Sequence, residues 1–175
     1  MNLVLIGYRC TGKTTIGRLL AEKLCWPLVD TDTLIQERAG RSIREVVAEG
    51  GWPEFRRLER EAVAEIAKGD RQVISVGGGA VLDESNREAL RRAGCVVLLR
   101  ASAEAIWQRM KADPKTAVER PNLTDAGGLA EVEAVLAERR PVYEAACHYA
   151  IPTDRFSPEE TAGRILAWLK AEGHL

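Results

Sequence analysis

The sequence predicts a three-layer α/β protein built around a parallel sheet. Short runs that are apolar throughout alternate with longer amphipathic segments along the whole chain. Runs without polar alternation suit strands buried on both faces. A repeated strand-then-helix order implies βα units whose crossovers cover the sheet. Length and composition agree: 175 residues, 46% hydrophobic and 29% charged, suit a single domain with a real core.

The elements follow in order. Residues 3–6 (LVLI) form the first run, closed by Gly7 and followed by a helix over 13–25. Residues 27–29 are a weaker strand candidate, with a short helix over 33–39. A long helix over 53–68 leads to the third run, 72–76 (QVISV), which three glycines end. A helix over 84–93 precedes the fourth run, 95–99 (CVVLL). Helices over 103–111 and 129–148, a last strand at 149–151 and a helix over 158–171 complete the set. Pro141 predicts a kink or restart within the 129–148 helix. With no internal repeat and no low-complexity linker, residues 1–175 read as one domain. Residues 112–128 (ADPKTAVERPNLTDAGG) have no clean period and lie between two helices, where a mobile lid would sit.

Charge and terminus narrow the function. There are 25 basic and 26 acidic residues, a net charge of −1, which gives no support for a nucleic-acid partner, since that would favour a basic face. No eighteen-residue apolar window suits a membrane span. The start, MNLVLIG, has no basic n-region and only four apolar residues in its run, so no secretory signal is expected. Cys10, Cys25, Cys95 and Cys147 are widely spaced, without a CxxC pair, as expected of reduced thiols in a reducing cytoplasm rather than a metal site; separately, a monomer is expected.

Residues 7–14, GYRCTGKT, match G-x-x-x-x-G-K-[ST] between an apolar strand and an amphipathic helix. Backbone N–H groups of such a loop and of the helix N-terminus converge on phosphate oxygens. Gly7, Arg9, Cys10, Thr11, Gly12, Lys13, Thr14 and Thr15 are therefore the candidate triphosphate-binding set, with ATP as co-substrate. Lys13 would lie on the β- and γ-phosphates and the Thr14 hydroxyl on Mg²⁺. Cys10 is either a small space-filler or a thiol made reactive by the anion-binding loop.

Asp30 and Asp32 lie two apart at the end of the second run and point the same way on an extended segment. One could hold Mg²⁺ through water while the other accepts a hydroxyl proton. The competing reading is helix capping by Asp32 or Thr33, with Gln36 completing a capping box. On the 129–148 helix, Arg139 falls on the apolar stripe, four residues from both Val135 and Tyr143. A buried arginine there needs an anion, unless it snorkels to solvent. Arg56 and Glu59, three apart on the 53–68 helix, form either an arginine fork prepared for an anion or an ordinary surface pair. Gly77, Gly78 and Gly79 mark a tight turn or close ligand approach. Arg120, in the candidate lid, could reach a transferring phosphate.

Together these segments resemble the shikimate kinase family over nearly the whole chain. The resemblance rests on the phosphate loop, D-T-D at 30–32, F-R-x-x-E at 55–59, S-x-G-G-G-A at 75–80, R-P-x-L at 120–123 and E-R-x-P-x-Y at 138–143. It implies a nucleoside-monophosphate-kinase-like fold with five parallel strands ordered 2-3-1-4-5, a lid about 112–128 and a substrate segment about 32–62. It implies γ-phosphoryl transfer from ATP to the 3-hydroxyl of shikimate, with one Mg²⁺ per ATP. By the same resemblance Lys13, Asp32 and Arg120 are catalytic, and Asp32, Arg56, Gly77, Gly78, Gly79 and Arg139 bind shikimate. Glu59 orients Arg56, Thr14 and Asp30 serve the metal, Arg109 lies against adenine, and Arg155 sits near the same base. Three departures stand out. Cys10 occupies a position often held by glycine. Gly51-Trp52-Pro53 replaces a commoner G-E opening. The segment between Arg109 and Arg120 is longer than in several relatives. The rival readings are a kinase of another polyol acid such as gluconate, and a regulatory nucleotide-binding module without an acceptor site.

Overall fold

The computed structural model describes residues 1–113 and 127–175. Residues 114–126, which include Arg120 and most of the expected lid, lie outside the described residues. The elements are β1 (Asn2–Ile6), α1 (Lys13–Leu24), β2 (Leu28–Asp30), α2 (Thr31–Ala39), α3 (Ile43–Ile66), β3 (Val73–Ser75) and a 3-10 turn (Ala80–Leu82). Then come α4 (Glu84–Ala93), β4 (Gly94–Arg100), α5 (Ala103–Ala112), α6 (Gly128–Ala146), β5 (Tyr149–Pro152) and α7 (Pro158–Ala171).

The five strands pair in parallel in the order β2-β3-β1-β4-β5, as the resemblance implies. Every residue of β1 is buried, and the two-residue period splits its side chains between two cores. Leu3 and Leu5 join Ile16 and Leu20 of α1 and Ile165 and Leu169 of α7. Val4 and Ile6 join Val63 and Ile66 of α3, Leu90 of α4 and Tyr143 and Ala146 of α6. Each fully buried aliphatic side chain contributes roughly 1.5–3 kcal/mol. This two-sided burial explains why the strand sequences are continuously apolar. A third core, with Ile35, Ile43, Val46 and Phe55, packs α2 against α3 beside the sheet.

Three local expectations are corrected. The helix after β2 is capped by Asp30, not by Asp32 or Thr33. It starts at Thr31, and the extended Asp30 accepts from the backbone N–H groups of Asp32 and Thr33 through its side chain. Asp32 is thereby a first-turn residue, too far into the helix to cap it. The long helix begins at Ile43, ten residues before the expected start, behind a Ser42/Glu45 capping box. It breaks at Gly51, whose φ of 71° and ψ of 177° lie outside the helical region. Pro53, just past this break, occupies a first-turn position where its missing N–H has no helical partner to lose. Finally, α6 passes through Pro141 without a restart.

The register puts the carboxyl ends of β1, β2 and β3 side by side, with Leu5 opposite Ser75 and Ser75 opposite Asp30. Gly7, Asp32 and Gly77 therefore meet at one edge of the sheet, next to the strand where the order reverses. That is where open α/β sheets bind ligands. Buried Thr31, the central residue of D-T-D, ties two of these ends together by accepting the Gly77 N–H at 2.9 Å.

Gly51→Ala will cost about 1–3 kcal/mol, because its backbone conformation is open essentially to glycine alone. Gly163→Ala, inside α7 with nothing within 4 Å of the added Cβ, will stabilise by about 1 kcal/mol. Denaturant unfolding of both variants checks the opposite signs.

Candidate active site

Two adjoining cavities open at this edge. The first is lined by Arg9, Asp32, Arg56, Glu59, Arg139 and the backbone of Gly77–Gly79, with Tyr8, Ile43, Trp52 and Phe55 completing its wall. The second is lined by Lys13, Thr14, Thr15, Asp30, Asp32, Gly77 and Gly78 among others. Asp32, Gly77 and Gly78 belong to both. They form the wall across which one ligand meets the other.

The first cavity is organised by a buried ion pair. Glu59 is 1% exposed, and its Oε2 accepts from Arg56 Nη1 at 2.5 Å. Burial pushes the Glu59 carboxyl up to about 7, against the opposing pull of Arg56, and the Asp32 charge pushes the same way as burial. Its second oxygen, Oε1, is buried with no hydrogen-bond partner among the described residues. The Arg56 guanidinium also lies over two rings, 5.5 Å from the centroid of Trp52 and 5.2 Å from that of Phe55. Carboxylate and rings together fix the fork, leaving its other donors for a ligand.

Two of the three glycines, Gly77 and Gly79, are explained by close approach, not by unusual dihedrals; a Cβ on Gly78 would come no nearer than 3.4 Å to its neighbours. A Cβ on Gly77 would stand 2.8 Å from both Asp32 Oδ1 and Glu59 Oε1. A Cβ on Gly79 would stand 2.3 Å from Arg56 Nη2. The Gly78 carbonyl accepts from the Tyr143 hydroxyl and from Arg139 Nη1, which anchors α6 to the same turn. Arg139 is 9% exposed on the buried face of α6, so it does not snorkel to solvent.

In the phosphate loop, Lys13 Nζ donates to the carbonyls of Gly7 and Tyr8 at 2.8 and 2.9 Å. Thr11 closes the loop with a hydroxyl hydrogen bond to the Tyr8 carbonyl. Cys10 adopts φ 59°, a left-handed conformation that suits the glycine often found there. Arg109 donates to the Cys10 carbonyl and, through both Nη atoms, to Thr153, joining the loop to the segment after β5. It lines a third cavity, with Thr15, Thr153, Phe156, Pro158 and Thr161, that continues from the phosphate loop. The four cysteines form no disulfide.

Most of the expected residues are thus gathered at one edge, with three exceptions. Arg9 lines the first cavity rather than the phosphate cavity. Arg155 is exposed and lines none of the three cavities. Arg120 lies outside the described residues. Sequence reasoning missed Trp52, Phe55, Thr153 and Phe156. The aromatics at helical spacing look like core, and the segment after β5 has no motif.

Fold and loop define a P-loop phosphotransferase with an acceptor cavity beside its phosphate cradle. Comparison with known proteins narrows this class. The family profile described as shikimate kinase matches residues 9–170. A shikimate kinase of Symbiobacterium thermophilum is 45% identical over 173 residues, covering 99% of this chain and 98% of that one. Another, of Oleidesulfovibrio alaskensis, is also 45% identical and covers 98% and 99%. Among solved structures, the Acinetobacter baumannii shikimate kinase in complex with shikimate superposes with a TM-score of 0.91 at 31% identity, covering 98% of this chain and 93% of that one. The Aquifex aeolicus shikimate kinase gives 0.82 at 29% identity, covering 99% and 98%. The chain belongs to the shikimate kinase family, the kinases that transfer phosphate from ATP to shikimate.

Two predictions follow from the geometry around Glu59. Gly79→Ala will displace Arg56 and raise the acceptor KM at least tenfold, with the ATP KM within twofold of wild type; steady-state kinetics with each substrate varied checks this. The second concerns pH. The folded pKa of Glu59 lies above its ordinary value, so its contribution to stability is full below about 4.5 and is lost as pH rises through about 7. The loss amounts to at most about 3 kcal/mol in the unliganded protein. Thermal unfolding between pH 5 and 8 will therefore fall more steeply for wild type than for Glu59→Gln. Parallel profiles would contradict the buried carboxyl.

Proposed function

We propose that the chain transfers the γ-phosphoryl group of ATP to the 3-hydroxyl of shikimate, giving shikimate 3-phosphate and ADP, with Asp32 receiving the hydroxyl proton. The observation that carries the assignment is the shared wall. Asp32 faces the acceptor cavity and the phosphate cavity at once, where a hydroxyl oxygen meets the phosphorus. The acceptor oxygen bonds to the γ-phosphorus, the bond from that phosphorus to the β–γ bridging oxygen breaks, and the hydroxyl proton passes to the Asp32 carboxylate.

Positioning carries most of the rate in such a reaction. Arg56, held by Glu59, and Arg139, held by the Gly78 carbonyl, clamp the shikimate carboxylate. The backbone of Gly77–Gly79 lets the ring lie close to the strand end. Loop N–H groups and Lys13 hold the β- and γ-phosphates and offset the charge that develops on the leaving oxygen. Thr14 and Asp30 line the phosphate cavity with a hydroxyl and a carboxylate, the hard oxygen donors that Mg²⁺ takes. Asp30 Oδ1 is occupied in capping α2, so the other oxygen is the one that would be left to help hold a magnesium ion. Bound Mg²⁺ would neutralise phosphate charge. Among the described residues no group of three or more histidine, cysteine or acidic side chains could hold a metal ion by itself. No helix among the described residues is long and apolar enough to cross a membrane.

A coupled ADP-release assay with shikimate tests the assignment. Asp32→Asn will lower kcat by at least about a hundredfold, and the variant will bind ATP within twofold of wild type. A variant that keeps a tenth of wild-type turnover would remove Asp32 from proton transfer.

A further inference from the structure

Behind the phosphate loop lies a further cavity of about 210 Å³, separate from the three described above. It meets the loop only at Tyr8 and Thr11, and neither Lys13 nor Asp32 lines it. Its floor is apolar, made by Leu98 of β4, Leu136 of α6 and the side chains of Tyr8 and Tyr143. Its mouth is charged, with Arg100, Arg140 and Glu144 exposed at the rim. Arg140 is in no ion pair among the described residues, and Arg100 stands 3.8 Å from Glu144. Two features join this cavity to the acceptor cavity. Tyr8 lines both, is 1% exposed, and has a hydroxyl without a hydrogen-bond partner among the described residues. Tyr143 donates its hydroxyl to the carbonyl of Gly78, which lines the acceptor cavity.

We propose that this cavity is a second binding site, for a small anion with an apolar ring, and that its occupant tightens the binding of shikimate. The coupling rests on the functional reading above; the site does not. An apolar cavity of roughly 150 Å³ admits benzene, so this one has room for a ring and one small group. Two tyrosine rings in its wall favour an aromatic ring, by offset or edge contacts. The floor penalises a polyol ring such as that of shikimate, whose buried hydroxyls would lack partners. Two guanidinium groups against one carboxylate at the mouth favour a carboxylate on the ligand. An occupant packed against Tyr143 holds that hydroxyl on the Gly78 carbonyl. It thereby favours the arrangement of the strand end that receives shikimate.

Benzoate is the probe. Titrated by calorimetry into protein saturated with shikimate, so that the acceptor cavity is filled, it will bind with a Kd of about 1 mM or below. Uncharged benzamide will bind at least about fivefold more weakly, and Arg140→Met will remove most of that difference. Leu136→Trp, which fills the cavity, will abolish benzoate binding, with Leu136→Phe as a milder filling should the tryptophan variant not fold. Benzoate will also compete in the acceptor cavity, so Leu136→Trp is the reference for coupling. Relative to that variant, benzoate will lower the shikimate KM of wild type at least about threefold. Tyr143→Phe will keep benzoate binding and lose this effect. No binding to the shikimate-saturated protein, or binding that both Leu136 variants leave unchanged, would overturn the site. A benzoate effect equal in wild type and the Leu136 variants, or retained in Tyr143→Phe, would overturn the coupling. Wild type that fails to bind shikimate would instead defeat the functional reading, while loss of benzoate binding in the Leu136 variants would still support the site.

Discussion

The acceptor site depends on one buried contact, the pairing of Arg56 with Glu59 against a glycine-lined strand end. A carboxylate at 1% exposure is unfavourable by itself, and burial raises its proton affinity. The guanidinium beside it opposes that shift and is in turn held in one orientation. Isolated, this arrangement is weak evidence for stability, since buried pairs often fail to recover their desolvation cost. Its value lies in orientation. An arginine already fixed by a carboxylate and two aromatic rings meets its ligand with less entropy left to lose. The same contact dictates the glycines, because Asp32, Glu59 and Arg56 occupy the space that side chains at 77 and 79 would need.

Around this contact the sheet acts as an alignment device. Parallel pairing sets the ends of β1, β2 and β3 level, and the residues just past those ends are the phosphate loop, D-T-D and the glycine triplet. The Thr31–Gly77 hydrogen bond locks the second to the third. Arg139 arrives from α6, far along the chain, yet it is tied to the same turn through Gly78. The reacting groups are thus held by backbone geometry and not by mobile surface side chains, as phosphoryl transfer by positioning requires.

Much of this was legible in the sequence, for physical reasons that differ by element. The strands were readable because burial on both faces forbids polar alternation. The phosphate loop was readable because its glycines and lysine must keep a strict spacing. Arg139 stood out as a charge on an apolar helical stripe. The first half of α3 escaped notice because Gly50, Gly51 and Pro53 read as a boundary, although Ser42 and Glu45 carried its capping signal. From spacing alone Asp30 offers a metal ligand or a base, and its role as the α2 cap emerges only from three-dimensional geometry. Trp52 and Phe55 looked like ordinary core residues, because spacing does not reveal that a guanidinium will lie over their rings. Arg9 shows the same limit. Membership of a loop says where the backbone goes, not where the side chain points.

The most direct measurement is a crystal structure of the protein with shikimate bound. The expected result is the carboxylate on the Arg56 and Arg139 guanidinium groups, the ring over Gly77–Gly79, and the 3-hydroxyl within hydrogen-bonding distance of Asp32. Shikimate bound with its carboxylate turned away from both arginines, or seated outside this cavity, would contradict it.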